Sequence, residues 1–147
     1  MIVLGKAEGE GFLRAAPRVG SEVPIHATAV GKLAMAFAPE AFPLRDGAAA
    51  FTTRTNVTAA DQARDLARAR VEGVAENHGE WIEGLSVVAA PILGRRPTGP
   101  PRFEGAVAIA ASEPRLRSVG MARVIERARQ AARRIEARLD GGRKEAA

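Results

Sequence analysis

The chain has 147 residues, with 22 Lys and Arg against 17 Asp and Glu, no Cys and 4% aromatic residues. An apolar share of 46% excludes a disordered chain, and the length suits one domain with a core of Ala, Val, Leu and Ile. Without Cys there is no disulfide framework, thiol nucleophile or cysteine metal site, and no run reaches the roughly 18 apolar residues of a membrane span. Nor does the N-terminus have the basic-then-apolar layout of a signal peptide, so a cytoplasmic protein with no membrane partner is expected.

The net charge of +5 is unevenly placed. Residues 1–112 carry 12 basic and 12 acidic side chains, whereas residues 113–147 carry 10 and 5. The terminal segment has no aromatic residue on which a base would stack, so a solvated helix face is the expected reading rather than a nucleic-acid surface.

In chain order, Ile2-Val3-Leu4 and Phe12-Leu13-Arg14-Ala15-Ala16 are short apolar runs, and Gly9-Glu10-Gly11 reads as a hairpin connection between them. Pro17, Gly20, Ser21 and Pro24 mark a loop. Val30, Leu33 and Phe37, amid small residues, predict a helix over Ala27 to Ala38 that Pro39 and Pro43 end. Thr58, with Asp61 three residues on, predicts the capped start of a second helix, and Gly73 its stop. A short strand over Val74 to Asn77 follows, and then an apolar run from Leu85 to Leu93 suited to a buried strand. Residues 94–102 read as a loop, and Gly105 to Ala111 as an antiparallel strand. A final helix over Ser118 to Leu139 carries an apolar stripe, with Gly141-Gly142 as its stop and a flexible tail over 141–147. The order predicts an α+β fold with an antiparallel sheet.

Several chemical motifs fail on spacing. Gly31-Lys32 lacks the upstream Gly and following Ser or Thr of a phosphate loop, since His26 and Leu33 stand there. His26 and His78 are the only imidazoles and lie in no metal-ligand spacing, and no nucleophile elbow is present. No catalytic residue, metal or cofactor is assigned; an enzyme using His26, Lys32 and Glu80 has nothing in the sequence to bring those residues together. Glu76, Glu80 and Glu83 surround Trp81, which is read either as a lid over a cavity or as a contact to another subunit. The start of the first helix offers free backbone N–H groups, and Ala27, Ala29 and Gly31 are small. It is either an anion site for a carboxylate or an ordinary packed helix start.

The run Arg18-Val19-Gly20-Ser21-Glu22-Val23-Pro24-Ile25-His26-Ala27-Thr28-Ala29-Val30-Gly31-Lys32-Leu33-Ala34 resembles the effector-binding domain of IclR-family transcriptional regulators. The resemblance continues through Thr53-Arg54-Thr55, Glu72-Gly73-Val74-Ala75, Glu80 and Gly84 to Ile92, and into the last strand and helix. It implies a GAF-like or profilin-like domain, here over residues 1–140: an antiparallel sheet flanked by helices, with a pocket for a small organic or aromatic acid. It also implies self-association as dimers or tetramers, and DNA contact only through an upstream winged helix-turn-helix that these 147 residues do not include. The domain is thus expected to be shortened at its N-terminus.

Carried over by position, the resemblance puts the ligand's acid group at Ala29 and Val30. Asn77 falls where relatives often carry an acid, Val87 where they often carry Cys, and Ala108 and Ala110 where some carry Ser. These replacements imply an apolar pocket that prefers an acid with a sizeable apolar body over a two-carbon oxoacid. The competing expectation is a free-standing interaction module with a filled pocket that modulates a full-length regulator; a cavity beside Ala29, Asn77 and Val87 would favour sensing, and a large apolar outer patch would favour association.

Overall fold

The computed structural model describes residues 1–8, 17–96 and 98–145, the side chains of 143–145 excepted. Seven elements follow in order: α1 (Ala29–Phe37), α2 (Ala59–Glu72), β1 (Ala75–His78), β2 (Leu85–Gly94), β3 (Arg102–Ser112), α3 (Glu113–Val119) and α4 (Met121–Glu145). The three strands form one antiparallel sheet in the order β1-β2-β3. The result is the expected α+β architecture, an antiparallel sheet with helices on both faces.

Both faces are covered, which explains the nearly continuous apolar run of β2. On one face Ala75 and Ala89 pack with Ala29, Leu33, Met35 and Ala36 of α1 and with Leu66 and Ala69 of α2. On the other, Val88 and Ala90 pack with Leu116 of α3 and with Val124, Ala128 and Ala132 of α4. A strand buried on two sides loses the alternation of a half-exposed one.

The helix ends follow their capping chemistry. Thr28 accepts from the Gly31 amide and donates to the Pro24 carbonyl, so α1 starts at Ala29, two residues later than the apolar pattern predicts. At α2, Thr58 accepts from the Asp61 amide and Gly73 takes the left-handed conformation with φ 62°, as the sequence predicts.

Three expectations need correction. The terminal helix is two helices, because Gly120, at φ 89°, separates α3 from α4. The helical segment begins at Glu113, with Pro114 in its first turn, a position where proline's missing N–H costs nothing. Gly141 and Gly142 do not stop α4, which continues through them to Glu145. At the other end of the chain, Ile2 bridges Glu22, and Val3 exchanges backbone bonds with Gly20 and Ser21. The expected partner of that first run, Phe12 to Ala16, and its turn at residues 9–11 lie outside the described residues.

Candidate functional site

The strand register collects the predicted residues. Asn77 on β1 faces Val87 on β2, and Val87 faces Ala110 on β3. Ala108 stands opposite Ala89 one step along. Side chains two apart share a face, so Asn77, Val87, Ala108 and Ala110 all belong to the face on which α1 lies. Val30 and Val87 both pack against that cluster. Exposure across the row is graded: Ala29 and Asn77 are buried, Val30 and Val87 half-buried, and Ala108 and Ala110 exposed. Trp81 is half-buried on the turn between β1 and β2.

At the α1 start, Thr28 satisfies the Gly31 amide, and Lys32 N donates to the Thr28 carbonyl at 2.9 Å. The Ala29 and Val30 amides have no acceptor among the described residues. These are the orphan donors of a first helical turn. The small residues here first accommodate the protein itself. A Cβ on Gly31 would stand 1.9 Å from the Ile25 carbonyl oxygen, so the 24–26 backbone lies directly on the helix. Asn77 is committed too: its amide donates to the Ala27 carbonyl, and its Oδ1 accepts from the Glu80 amide at 3.3 Å.

The most heavily charged arrangement on this face was not legible in the sequence. Lys32, only 4% exposed, places Nζ 2.6 Å from Asp65 Oδ2 and 2.6 Å from Glu80 Oε1. The same ammonium donates to the Glu76 carbonyl at 3.2 Å. Glu80 Oε2 is buried without a hydrogen-bond partner among the described residues. The triad therefore joins α1, α2 and the β1–β2 turn around one cation.

Lys32 and Glu80 thus do meet, contrary to the expectation that nothing brings them together. His26 does not join them. Its ring stacks on Phe51 with centroids 5.5 Å apart, and Nε2 bonds to the Ala49 carbonyl at 2.8 Å. The remaining acids disperse as well: Glu76 pairs with His78, and Glu83 is exposed. The turn carrying Trp81 is fastened from a third side, since Thr52 Oγ1 donates to the Gly79 carbonyl at 2.7 Å and Thr55 Oγ1 to the Glu80 carbonyl at 2.6 Å.

Two cavities, of about 230 and 530 Å³, lie against α4, and neither is lined by the residues of the Asn77–Val87–Ala110 row. The larger opens beside β3 and the α3–α4 joint. Close by, Glu113 bonds to Arg117 and lies 3.5 Å from Arg54. The Arg117 hydrogen bond and then its charge hold the Glu113 carboxyl below the usual glutamate range, outweighing the opposing effect of burial, with Arg54 adding a smaller contribution.

Comparison with known proteins bears on the whole architecture. Residues 1–137 match the family model "Bacterial transcriptional regulator IclR C-terminal". The chain is 36% identical over 131 residues to the glycerol operon regulatory protein of Streptomyces coelicolor, covering 85% of this chain and 49% of that protein. It is 34% identical over 104 residues to the probable transcriptional regulator SauR of Cupriavidus necator, covering 65% of this chain and 40% of that one. It therefore spans half or less of the curated relatives it matches. Among solved structures, the transcriptional regulator YaiJ superposes with a TM-score of 0.80 at 26% identity, over 94% of this chain and 78% of that one. The IclR transcriptional regulator from Alicyclobacillus acidocaldarius shares the fold with a TM-score of 0.79 at 24% identity, over 92% and 54%. No helix among the described residues is long and apolar enough to cross a membrane. With 137 of its 147 residues matched in sequence and the three-stranded sheet and flanking helices matched in space, the chain belongs to the IclR C-terminal family of bacterial transcriptional regulators.

Proposed function

We propose that this domain senses a small organic acid on the α1 face of the sheet and relays its occupancy to a DNA-reading element elsewhere in the regulator. The observation that carries this reading is the row Asn77, Val87 and Ala110, one residue from each strand, on the face where the Ala29 and Val30 amides await an acceptor. A carboxylate at that helix start meets two N–H donors and the positive end of the helix dipole. Val87, Ala108 and Ala110 offer it only apolar contact, which fits an acid with an apolar body. DNA enters as a partner only through a domain beyond these elements, and the reading assigns no catalysis, cofactor or metal.

The test is a thermal-shift screen of small carboxylic acids, since a ligand of the folded state raises its melting temperature. An aromatic or branched-chain acid is expected to shift the melt and a two-carbon oxoacid to leave it in place. Ala29→Asp, folded by circular dichroism, is expected to lose the shift by placing like charge at the helix start. A shift that persists undiminished in that variant overturns the assignment.

A second reading, association as a dimer or tetramer, is favoured by α4. Its buried stripe of Val124, Ala128 and Ala132 continues into Ile135 and Leu139, which are 38% and 39% exposed. Sedimentation of the wild type beside Ile135→Lys tests it, and a monomer at every concentration removes it.

A further inference from the structure

The face of the sheet away from α1 holds a cavity with a different chemistry. About 530 Å³ in volume, it falls within the range of small-molecule sites, roughly 300–1,000 Å³. Its apolar floor is Ile109 and Ala111 of β3 with Val124 of α4, and its rim carries Arg115, Arg123 and Arg127. Among the described residues no acidic side chain lines it.

The three guanidiniums are uncompensated. Neighbouring arginines have partners, as Arg117 bonds to Glu113 and Arg133 to Glu126, but Arg115, Arg123 and Arg127 form no ion pair among the described residues. Arg123 and Arg127 are four residues apart on α4, where like charges repel and destabilise a helix. Arg115 joins them from α3. Three cations over an apolar floor complement one ligand chemistry: an anionic head for the arginine forks and an apolar body for the floor.

We propose that the cleft between β3 and the α3–α4 joint is a second binding site, for an organic anion with an apolar body, held by Arg115, Arg123 and Arg127. It lies across the sheet from the Ala29–Val30 helix start and does not depend on the sensing role proposed for that end.

The test uses calorimetry with octanoate and its neutral analogue octanamide, on the wild type and in the Ala29→Asp background, so that any site at the α1 start is removed separately. Octanoate is expected to bind with one-to-one stoichiometry in the Ala29→Asp variant, and octanamide at least tenfold more weakly. Arg123→Gln with Arg127→Gln in that background is expected to weaken octanoate at least tenfold; these exposed positions leave the fold intact, which circular dichroism verifies. Arg115→Gln alone is expected to weaken it severalfold. Absence of octanoate binding in the Ala29→Asp variant, or binding unchanged by the arginine substitutions, overturns the proposal. So does displacement by polyglutamate with no preference for octanoate over acetate, since that marks a surface for acidic protein segments rather than a site for an amphipathic anion.

Discussion

The two faces of the sheet share an apolar layer but differ in where they place charge. On the α1 face, the buried Lys32 draws in the buried Glu80 and the half-buried Asp65, and the helix start is pinned by backbone contact at Gly31. On the α4 face, Val, Leu and Ala do the packing and the charges stay at the rim. A buried ion cluster specifies where its elements must sit but contributes little net stability, because desolvation offsets most of the attraction. An apolar layer contributes stability in proportion to area and tolerates adjustment. The α1 face therefore adds a position-critical cluster to its apolar layer, whereas the α4 face keeps its charges at the rim.

The sharpest way to break this contrast is Lys32→Met, which leaves the buried Glu80 without its cation, while Asp65 keeps Asn56 and Arg68 beside it. A loss of about 3–5 kcal/mol is expected in urea denaturation, the cost of stranding a buried charge. Adding Asp65→Leu and Glu80→Met is expected to recover most of it, since an apolar replacement of the whole cluster is nearly neutral. Failure to recover would mean that the triad contributes net stability. On the other face, Leu116→Ala is expected to cost about 3 kcal/mol through lost burial and the cavity left behind, with an unchanged denaturant slope. The smallest effect belongs to Glu113. Because its folded-state pKa is lowered, its contribution is present above the usual glutamate range and is lost as pH falls through the folded value. The difference in melting temperature between wild type and Glu113→Gln is expected to vanish on acidification below that range, and a difference that grows on acidification would contradict the sign.

Much of the frame is legible in the sequence because it depends on local chemistry. Thr58 and Gly73 delimit α2 by their own capping habits, and the apolar runs of β2 and β3 announce themselves by composition. The gathering of Asn77, Val87 and Ala110 into one row follows from pairing register, so positions carried over by resemblance meet in space. The Lys32–Asp65–Glu80 triad is different. Its partners are far apart in sequence, and no spacing rule links them. The one available signal is a lysine inside the otherwise apolar 29–37 helix. Gly120 and Gly141 mislead in opposite ways. A glycine costs a helix only about 1 kcal/mol relative to Ala, so the periodic pattern runs through both, and tertiary context decides that the helix breaks at one and continues through the other.

The irregularity between Ile92 and Leu93 shifts the pairing of β2 with β3, and the Leu93 amide is taken up by the Glu136 carboxylate at 2.6 Å. A side chain of α4 thereby completes a ladder that no strand completes, and it does so at a fixed point along the helix. With a rise of about 1.5 Å per residue, sliding α4 by a single residue would forfeit that bond. The bulge works as a vernier stop: it sets how far the helix projects past the sheet, and so where Leu139 is held.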